Sequence, residues 1–249
     1  MSAACRSSPH RRGRAPALIA LALVCLTGGA TLASADATSN DPADDAAGAT
    51  VLVLGDSISA AYGIQREQGW VSRLRERLAA AGDWQVINAS ISGETTGGGL
   101  ARLPDALAEH DPEVVIIELG GNDGLRGYPV ARIRDNLNRV VELVQDTGAV
   151  PLLVGMQIPP NYGPRYTRAF AAVFGEVAEQ RDVALVPFIL ERVALIPELM
   201  QSDGIHPTAE AQNALLDTVW PHLAPLLEQH TAAAAPADHA GAGADTTTR

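Results

Sequence analysis

One serine near the start of the chain and an aspartate–histidine pair near its end are the residue types of nucleophilic catalysis. Ser57 follows a short apolar run that ends in Gly55, where a tight turn would present its hydroxyl. His206 could remove the hydroxyl proton, and Asp203, in the same short loop, could accept the other ring N–H and fix the tautomer. This set predicts acyl transfer, with Ser57 as the nucleophile, His206 as the base and Asp203 as the orienting carboxylate.

Acyl transfer also needs hydrogen-bond donors for the charge that develops on the carbonyl oxygen. Gly93 offers a backbone N–H that no side chain obstructs, and Asn122 offers a side-chain amide. One such donor stabilises the transition state by about 3–4 kcal/mol. We expect an oxyanion hole formed by Gly93, Asn122 and the backbone N–H of Ser57.

Each part also has an ordinary structural interpretation. Gly-Asp-Ser is usually a turn, Asp-x-x-His is often a helix-capping loop, and Asn122 could be a turn residue that bonds its own backbone. His206 differs from the other histidines because it combines a nearby acid with a place at the carboxyl-end edge of the parallel sheet that the apolar pattern predicts. The joint occurrence of all the parts favours catalysis.

The elements that position these residues follow from the apolar pattern. Continuous apolar runs alternate with stretches in which apolar residues recur at helical spacing. The runs predict strands over residues 51–54, 85–89, 114–117, 152–154 and 184–186. The stretches predict helices over residues 70–81, 100–109, 130–146, 166–181 and 208–227.

Such alternation, with strands that are apolar throughout, is typical of a parallel sheet covered on both faces. We therefore predict an α/β fold, a three-layer α/β/α sandwich around a five-stranded parallel sheet. Ligands of these sheets bind beyond the carboxyl ends of the strands. The loops that carry Ser57, Gly93, Asn122 and His206 all fall at that edge, which predicts a single site.

The two ends of the chain differ from its middle. Residues 1–35 hold four arginines, no acid, an apolar run and a final A-x-A pattern, which predicts a secretory signal peptide cleaved near Ala35. An uncleaved anchor is the alternative, but the apolar run is shorter than the ~20 residues that a span needs. Residues 36–49 are predicted to be a linker, 50–229 the domain and 230–249 a disordered tail. We expect export to the periplasm or secretion.

Composition argues against several partners and mechanisms. The net charge of −11 would become −15 without the four arginines of the predicted signal peptide, which disfavours nucleic acid and anionic membranes. Both cysteines, Cys5 and Cys25, lie in that segment, so no thiolate chemistry is expected in the mature chain. A metallohydrolase could use Asp203 and His206, but these are too few ligands for a catalytic metal.

The ordered set of motifs resembles the GDSL, or SGNH, hydrolases. The namesake residues of that family would be Ser57, Gly93, Asn122 and His206, and Ile58 stands where the motif has leucine. The stretches 88–95, 99–104 and 118–127 are similar to a bacterial periplasmic group of multifunctional acyl-CoA thioesterases, proteases and lysophospholipases, often called arylesterases.

The resemblance implies a flavodoxin-like sandwich that hydrolyses acyl esters and thioesters through an acyl-enzyme on Ser57, with neither a metal nor an organic cofactor. It also implies that the loop over residues 124–129 borders the acyl site. We expect a monomer that binds a small-molecule acyl ester or thioester. The candidate substrate-binding residues are Asp56, Gly121, Leu125 and Ile158.

Three alternatives fit the sequence less well than this hypothesis. An α/β-hydrolase would carry a G-x-S-x-G elbow, which is absent around Ser57. A carbohydrate acetylesterase of the same fold would be expected to offer aromatic platforms, whereas apolar residues such as Leu195 and Ile196 suit an acyl chain. A non-catalytic nucleotide- or flavin-binding module is disfavoured because the chain has no lysine for a P-loop and because Asp56 would repel phosphate.

Overall fold

Five parallel strands form the centre of the protein. The computed structural model describes residues 48–82 and 84–234. The strands are β1 Ala49–Gly55, β2 Trp84–Asn88, β3 Val114–Glu118, β4 Val150–Val154 and β5 Ala184–Val186. They lie in the order β2-β1-β3-β4-β5, and every pair of neighbours is parallel. The central strand β3 is buried along its whole length, as its apolar composition predicts.

Helices cover both faces of this sheet. In the described part of the chain they are α1 Trp70–Ala79, α2 Thr96–His110, α3 Gly121–Leu125, α4 Val130–Asp146, α5 Pro164–Arg181 and α6 Gln212–Ala234. Helix α1 packs against α6, whereas α4 packs against both α2 and α5, so the helices form two layers with the sheet between them. The predicted three-layer α/β/α sandwich is therefore confirmed. Within the described ranges, no helix combines the length and the hydropathy that crossing a membrane requires.

Helix α4 shows how the apolar pattern determines the packing. Its apolar side chains recur every three or four residues, and the stripe that they form is fully buried. Burying one such side chain contributes about 1.5–3 kcal/mol, so the stripe fixes which face of α4 meets the sheet. The members of the stripe are Ile133, Leu137, Val140, Val141 and Val144.

Helix α2 begins earlier than the apolar pattern predicts. It starts at Thr96 rather than at residue 100, because the side chain of Thr95 accepts a hydrogen bond from the N–H of Gly98 at 3.2 Å and caps the helix. The apolar pattern does not predict this first turn, because Thr96 is followed by glycines and glycine is a poor helix former. Pro104 consequently lies inside the helix.

The last helix is displaced along the chain relative to its prediction. Helix α6 runs from Gln212 to Ala234, whereas the apolar pattern predicts residues 208–227. Thr208 instead belongs to the turn after His206, where its N–H donates to the carbonyl of Leu199 at 2.9 Å. The helix also extends beyond residue 229, so the first residues of the predicted tail are helical. The predicted signal peptide lies outside the described residues, as does almost all of the predicted linker.

Candidate active site

Ser57 lies on a tight turn at the carboxyl end of β1. The turn is closed by the N–H of Ala60, which donates to the carbonyl of Asp56 at 2.9 Å, and by the N–H of Tyr62, which donates to the carbonyl of Ser57 at 3.0 Å. The side chain of Asp56 also accepts the N–H of Ile58 at 3.0 Å. These bonds tie the backbone on both sides of Ser57, so its hydroxyl is held in a fixed position at the edge of the sheet.

The structure brings Ser57, His206 and Asp203 into one hydrogen-bonded row. The Nε2 atom of His206 lies 2.8 Å from Oγ of Ser57, and its Nδ1 atom lies 2.6 Å from Oδ2 of Asp203. This is the geometry in which a histidine can accept the serine proton while a carboxylate orients its ring. The three residues are those that the sequence pattern selects, and they lie at the predicted edge of the sheet.

The loop that carries His206 holds Asp203 as a carboxylate. The Oδ1 atom of Asp203 accepts the backbone N–H groups of Ile205 at 2.9 Å and of His206 at 3.0 Å. Partial burial raises the pKa of Asp203, but the hydrogen bonds from the His206 ring and from these two N–H groups outweigh it and lower the pKa to about 2. Asp203 therefore stays ionised at neutral pH and can stabilise a protonated His206 ring.

Tyr62 and Gln201 support His206 and the loop that carries it. The ring of Tyr62 lies against the ring of His206, with 4.6 Å between their centroids. The side-chain amide of Gln201 donates to the carbonyls of Tyr62 at 2.8 Å and of Pro207 at 2.9 Å, which joins the nucleophile segment to the histidine loop. The sequence patterns do not indicate Tyr62 or Gln201, because neither residue belongs to an apolar repeat or to one of the candidate catalytic motifs.

The three candidate oxyanion donors border the same groove. Gly93 has a φ of +82°, a conformation that L side chains rarely adopt, and its N–H has no hydrogen-bond partner among the described residues. Asn122 lies in the short helix α3, where one N–H of its amide donates to Oδ2 of Asp56 at 3.0 Å and leaves the other for a ligand. The N–H of Ser57 likewise has no partner in the described ranges.

Asp56 is buried and engaged by the protein itself. It is 2% exposed, and its two carboxylate oxygens accept the N–H of Ile58 and the amide of Asn122. Burial raises its pKa from 3.8 to about 6, against the lowering effect of its hydrogen bonds to Ile58 and Asn122 and of the charge on His206. Asp56 thus borders the groove, but both of its oxygens are used to orient Asn122 and the turn.

A groove of about 660 Å³ opens in front of Ser57. All four predicted substrate-binding residues line this groove, namely Asp56, Gly121, Leu125 and Ile158. Its wall is mostly apolar, and one rim residue, Leu195, is 93% exposed. The other apolar residues that line it are Ile58, Tyr62, Met156, Pro159, Pro160, Phe188, Leu190, Ala194, Met200 and Ile205. A groove of this size and lining suits an acyl chain.

Known proteins are similar to this chain in sequence and in fold. The model of the GDSL-like Lipase/Acylhydrolase family matches residues 53–214. The chain is 57% identical to the esterase TesA of Pseudomonas aeruginosa over 183 residues, covering 73% of this chain and 91% of that protein. It is 44% identical over 186 residues to thioesterase 1/protease 1/lysophospholipase L1 of Escherichia coli strain K12, covering 73% and 86%.

A solved structure supports the same assignment. The psychrotrophic esterase EstA from Pseudoalteromonas, in a structure inhibited by monoethylphosphonate, aligns with a TM-score of 0.69 at 43% identity. The alignment covers 72% of this chain and 98% of that chain. Because the family model spans more than half of the chain and these relatives are aligned over most of their length, the chain is an enzyme of the GDSL-like lipase/acylhydrolase family.

Proposed function

We propose that this protein hydrolyses acyl esters and thioesters through a covalent acyl-enzyme on Ser57. The observation that carries the proposal is the row of hydrogen bonds from Ser57 through His206 to Asp203, with 2.8 Å and 2.6 Å between the bonded atoms. A serine hydroxyl is a weak nucleophile by itself and gains reactivity from a base in hydrogen-bond contact. Ser57 and His206 of this row line the groove.

The reaction proceeds in two half-reactions at one carbon. The Oγ atom of Ser57 attacks the acyl carbonyl carbon while its proton passes to Nε2 of His206. The resulting oxyanion accepts hydrogen bonds from the N–H groups of Ser57 and Gly93 and from the Asn122 amide. The carbon–oxygen or carbon–sulfur bond then breaks, and His206 returns the proton to the departing alcohol or thiol. Water, activated by His206, releases the acid and restores Ser57.

The groove supports a substrate with an apolar acyl part. Leu125, Ile158 and Met156 are among its lining residues, and the exposed Leu195 lies at its rim. Relatives named esterase, arylesterase and thioesterase/lysophospholipase point to the same chemistry. We therefore place this enzyme with the acyl-CoA thioesterase, lysophospholipase and arylesterase activities of its family. A carbohydrate acetylesterase is not favoured, because among the residues that the structure describes only Tyr62 and Phe188 supply aromatic side chains to this groove.

We also propose that the enzyme works outside the cytoplasm, in the periplasm or after secretion. The arginine-rich start, the apolar run and the small residues before Ala35 support export. The strongly acidic remainder supports a small-molecule substrate rather than nucleic acid. Mass spectrometry of the mature amino terminus tests the cleavage site, and sedimentation of the mature protein tests the expected monomer.

The proposed nucleophile can be labelled covalently. An ethyl phosphonate ester with a p-nitrophenolate leaving group mimics the tetrahedral stage, and attack by Ser57 would leave one phosphonyl group on its Oγ. We expect mass spectrometry of the digested protein to find this group on the peptide that contains Ser57, and to find none in the Asp203→Asn variant after the same short incubation. A phosphonyl group on another residue would place the nucleophile elsewhere.

A further inference from the structure

A buried acid lies directly behind the turn that presents Ser57. Glu118 is the last residue of β3 and is 0% exposed. Burial raises the pKa of Glu118 well above its ordinary value of 4.5, and the charge of Asp56 raises it further. A buried carboxyl group is costly unless its polar atoms are paired, so its position beside the nucleophile calls for a physical reason.

The two oxygens of Glu118 have different surroundings. Oε2 accepts the Ser59 hydroxyl at 2.6 Å and the backbone N–H of Asp56 at 3.3 Å. Oε1 has no hydrogen-bond partner among the described residues. Oε2 is therefore the acceptor that joins the Ser59 side chain to the Asp56 backbone. Gly55 makes this approach possible, since a Cβ there would lie 2.8 Å from Oε2.

From Glu118 the hydrogen bonds lead to the oxyanion donor. The Asp56 N–H is bound by Glu118, while the Asp56 carboxylate accepts the N–H of Ile58 and the side-chain amide of Asn122, each at 3.0 Å. A shift of the Asp56 backbone would therefore move the Asn122 amide and the turn around Ser57 together.

In the other direction the hydrogen bonds lead to the loop of the base. The indole N–H of Trp70 donates to the hydroxyl of Ser59 at 3.2 Å, and its backbone N–H donates to Oε1 of Gln212 at 2.9 Å. The amide of Gln212 then donates to the carbonyl of Thr208 at 3.0 Å, two residues after His206. One polar path thus crosses the protein beneath the site. Its members are Asn122, Asp56, Glu118, Ser59, Trp70, Gln212 and Thr208.

We propose that Glu118 is a positioning residue for acyl transfer, which holds the Ser57 turn in register with Asn122 on one side and with the His206 loop on the other. The proposal rests on the proposed function of Ser57. Glu118 does not line the groove, so it acts on the reaction only through the groups that it holds. The path needs a hydrogen-bond acceptor at this place, and it does not need a negative charge there.

Two substitutions of Glu118 separate these requirements. Glu118→Gln keeps a carbonyl oxygen for Ser59 and Asp56, so we expect kcat for p-nitrophenyl butyrate within about threefold of wild type. Glu118→Met keeps the length but has no comparable acceptor. Because a small misplacement of reacting groups can cost about a hundredfold, we expect its kcat to fall by about tenfold to a hundredfold, with KM changed less than about twofold.

A merely structural role for Glu118 is tested by Ile116→Ala. Ile116 lies two residues earlier on β3 and is also fully buried, but its side chain makes no hydrogen bonds. This control should lower the unfolding temperature and leave kcat unchanged well below that temperature. If Glu118→Met does not fold, Trp70→Phe keeps an aromatic ring in the core and removes the indole donor, and it should lower kcat by about tenfold with KM changed less than about twofold.

Two results would overturn the positioning role. One is wild-type kcat in Glu118→Met, or in Trp70→Phe if Glu118→Met does not fold. The other is an equal loss of kcat in Glu118→Gln and Glu118→Met. Ser57→Ala, measured in parallel, keeps this outcome separate from the proposed function, because an active Ser57→Ala would overturn the serine mechanism whatever Glu118 does.

Discussion

The ring of His206 meets the hydroxyl of Ser57 at 2.8 Å, although 149 residues separate them in the chain. The contact exists because the two loops follow parallel elements of one sheet and therefore emerge at the same edge. Nothing local in either loop requires the other. The site is consequently a product of the sheet topology, and each of its parts can be tested by a substitution that leaves the sheet intact.

Asp203 should be needed for the orientation of the His206 ring. In Asp203→Asn the acceptor of the Nδ1–H is replaced by an amide, which favours the wrong tautomer, so we expect kcat to fall by about 10³–10⁴-fold. The measurement is the initial rate on p-nitrophenyl butyrate. Glu191→Gln is the matched control, since Glu191 also lines the groove and makes no side-chain bond to His206. Equal activity of the two variants would argue against the orienting role.

Asn122 should stabilise the transition state more than the bound substrate. Removing its amide in Asn122→Ala should lower kcat by about 10²–10³-fold while KM changes little. Gln157→Ala removes another amide that lines the groove and should leave kcat within about threefold. A rise in KM at constant kcat in Asn122→Ala would mean that Asn122 binds the ground state and does not belong to the oxyanion hole.

The strands could be predicted, and the candidate catalytic residues could be selected, because both are expressed in local patterns. The apolar run before Ser57 marks the end of a strand, and Asp203 with His206 share one short loop. The apolar pattern does not predict the first turn of α2, because the Thr95 cap lies before a run of glycines, which have a low helix propensity. The apolar pattern ends α6 at residue 227, before its end in the structure, because apolar residues do not recur regularly in its last turns.

The supporting residues could not be predicted from local patterns. Glu118 ends an apolar strand, where a charged residue is usually exposed to solvent. In the structure it is fully buried, and its partner Ser59 comes from the turn after a different strand, β1. Asp56 lines the groove, and its motif does not reveal that its two carboxylate oxygens accept hydrogen bonds from Ile58 and Asn122. Such contacts depend on which strands become neighbours, and the strand order is not written in any one segment.

The buried charge of Asp56 should make stability depend on pH in a defined direction. Its pKa is raised from 3.8 to about 6 in the folded protein, so the folded state binds this proton more tightly than the unfolded state does. The contribution of Asp56 to stability is therefore fully present below about pH 4 and is lost as the pH rises through about 6. Asp203, whose pKa is lowered to about 2, acts oppositely and only below about pH 4.

Asp56→Asn removes this titration. We expect the unfolding temperature of the variant, relative to wild type, to rise as the pH is increased from 4 to 7. Its activity should nevertheless be low throughout, because the new amide presents a donor to the Asn122 amide where an acceptor is needed. Thermal unfolding followed by circular dichroism at several pH values gives the comparison. A difference that is constant across this range would contradict the raised pKa.

The exposed rim residue Leu195 should affect long acyl chains more than short ones. In Leu195→Ser we expect kcat/KM for p-nitrophenyl palmitate to fall by about threefold to tenfold, because apolar contact with the far end of the chain is lost. The value for the acetate ester should stay unchanged. Val150→Ser, an exposed apolar residue at the amino end of β4, is the matched control. Parallel losses for acetate and palmitate would show that the chain does not pass Leu195.

Substitution of the proposed nucleophile tests the central claim most directly. The mature protein and its Ser57→Ala variant would be assayed side by side on p-nitrophenyl esters and acyl-CoA thioesters of two to sixteen carbons, with circular dichroism to establish that both are folded. We predict hydrolysis by the wild type and a loss of about a thousandfold or more in the variant on every substrate that the wild type accepts. Comparable hydrolysis by a folded Ser57→Ala protein would contradict the acyl-enzyme mechanism.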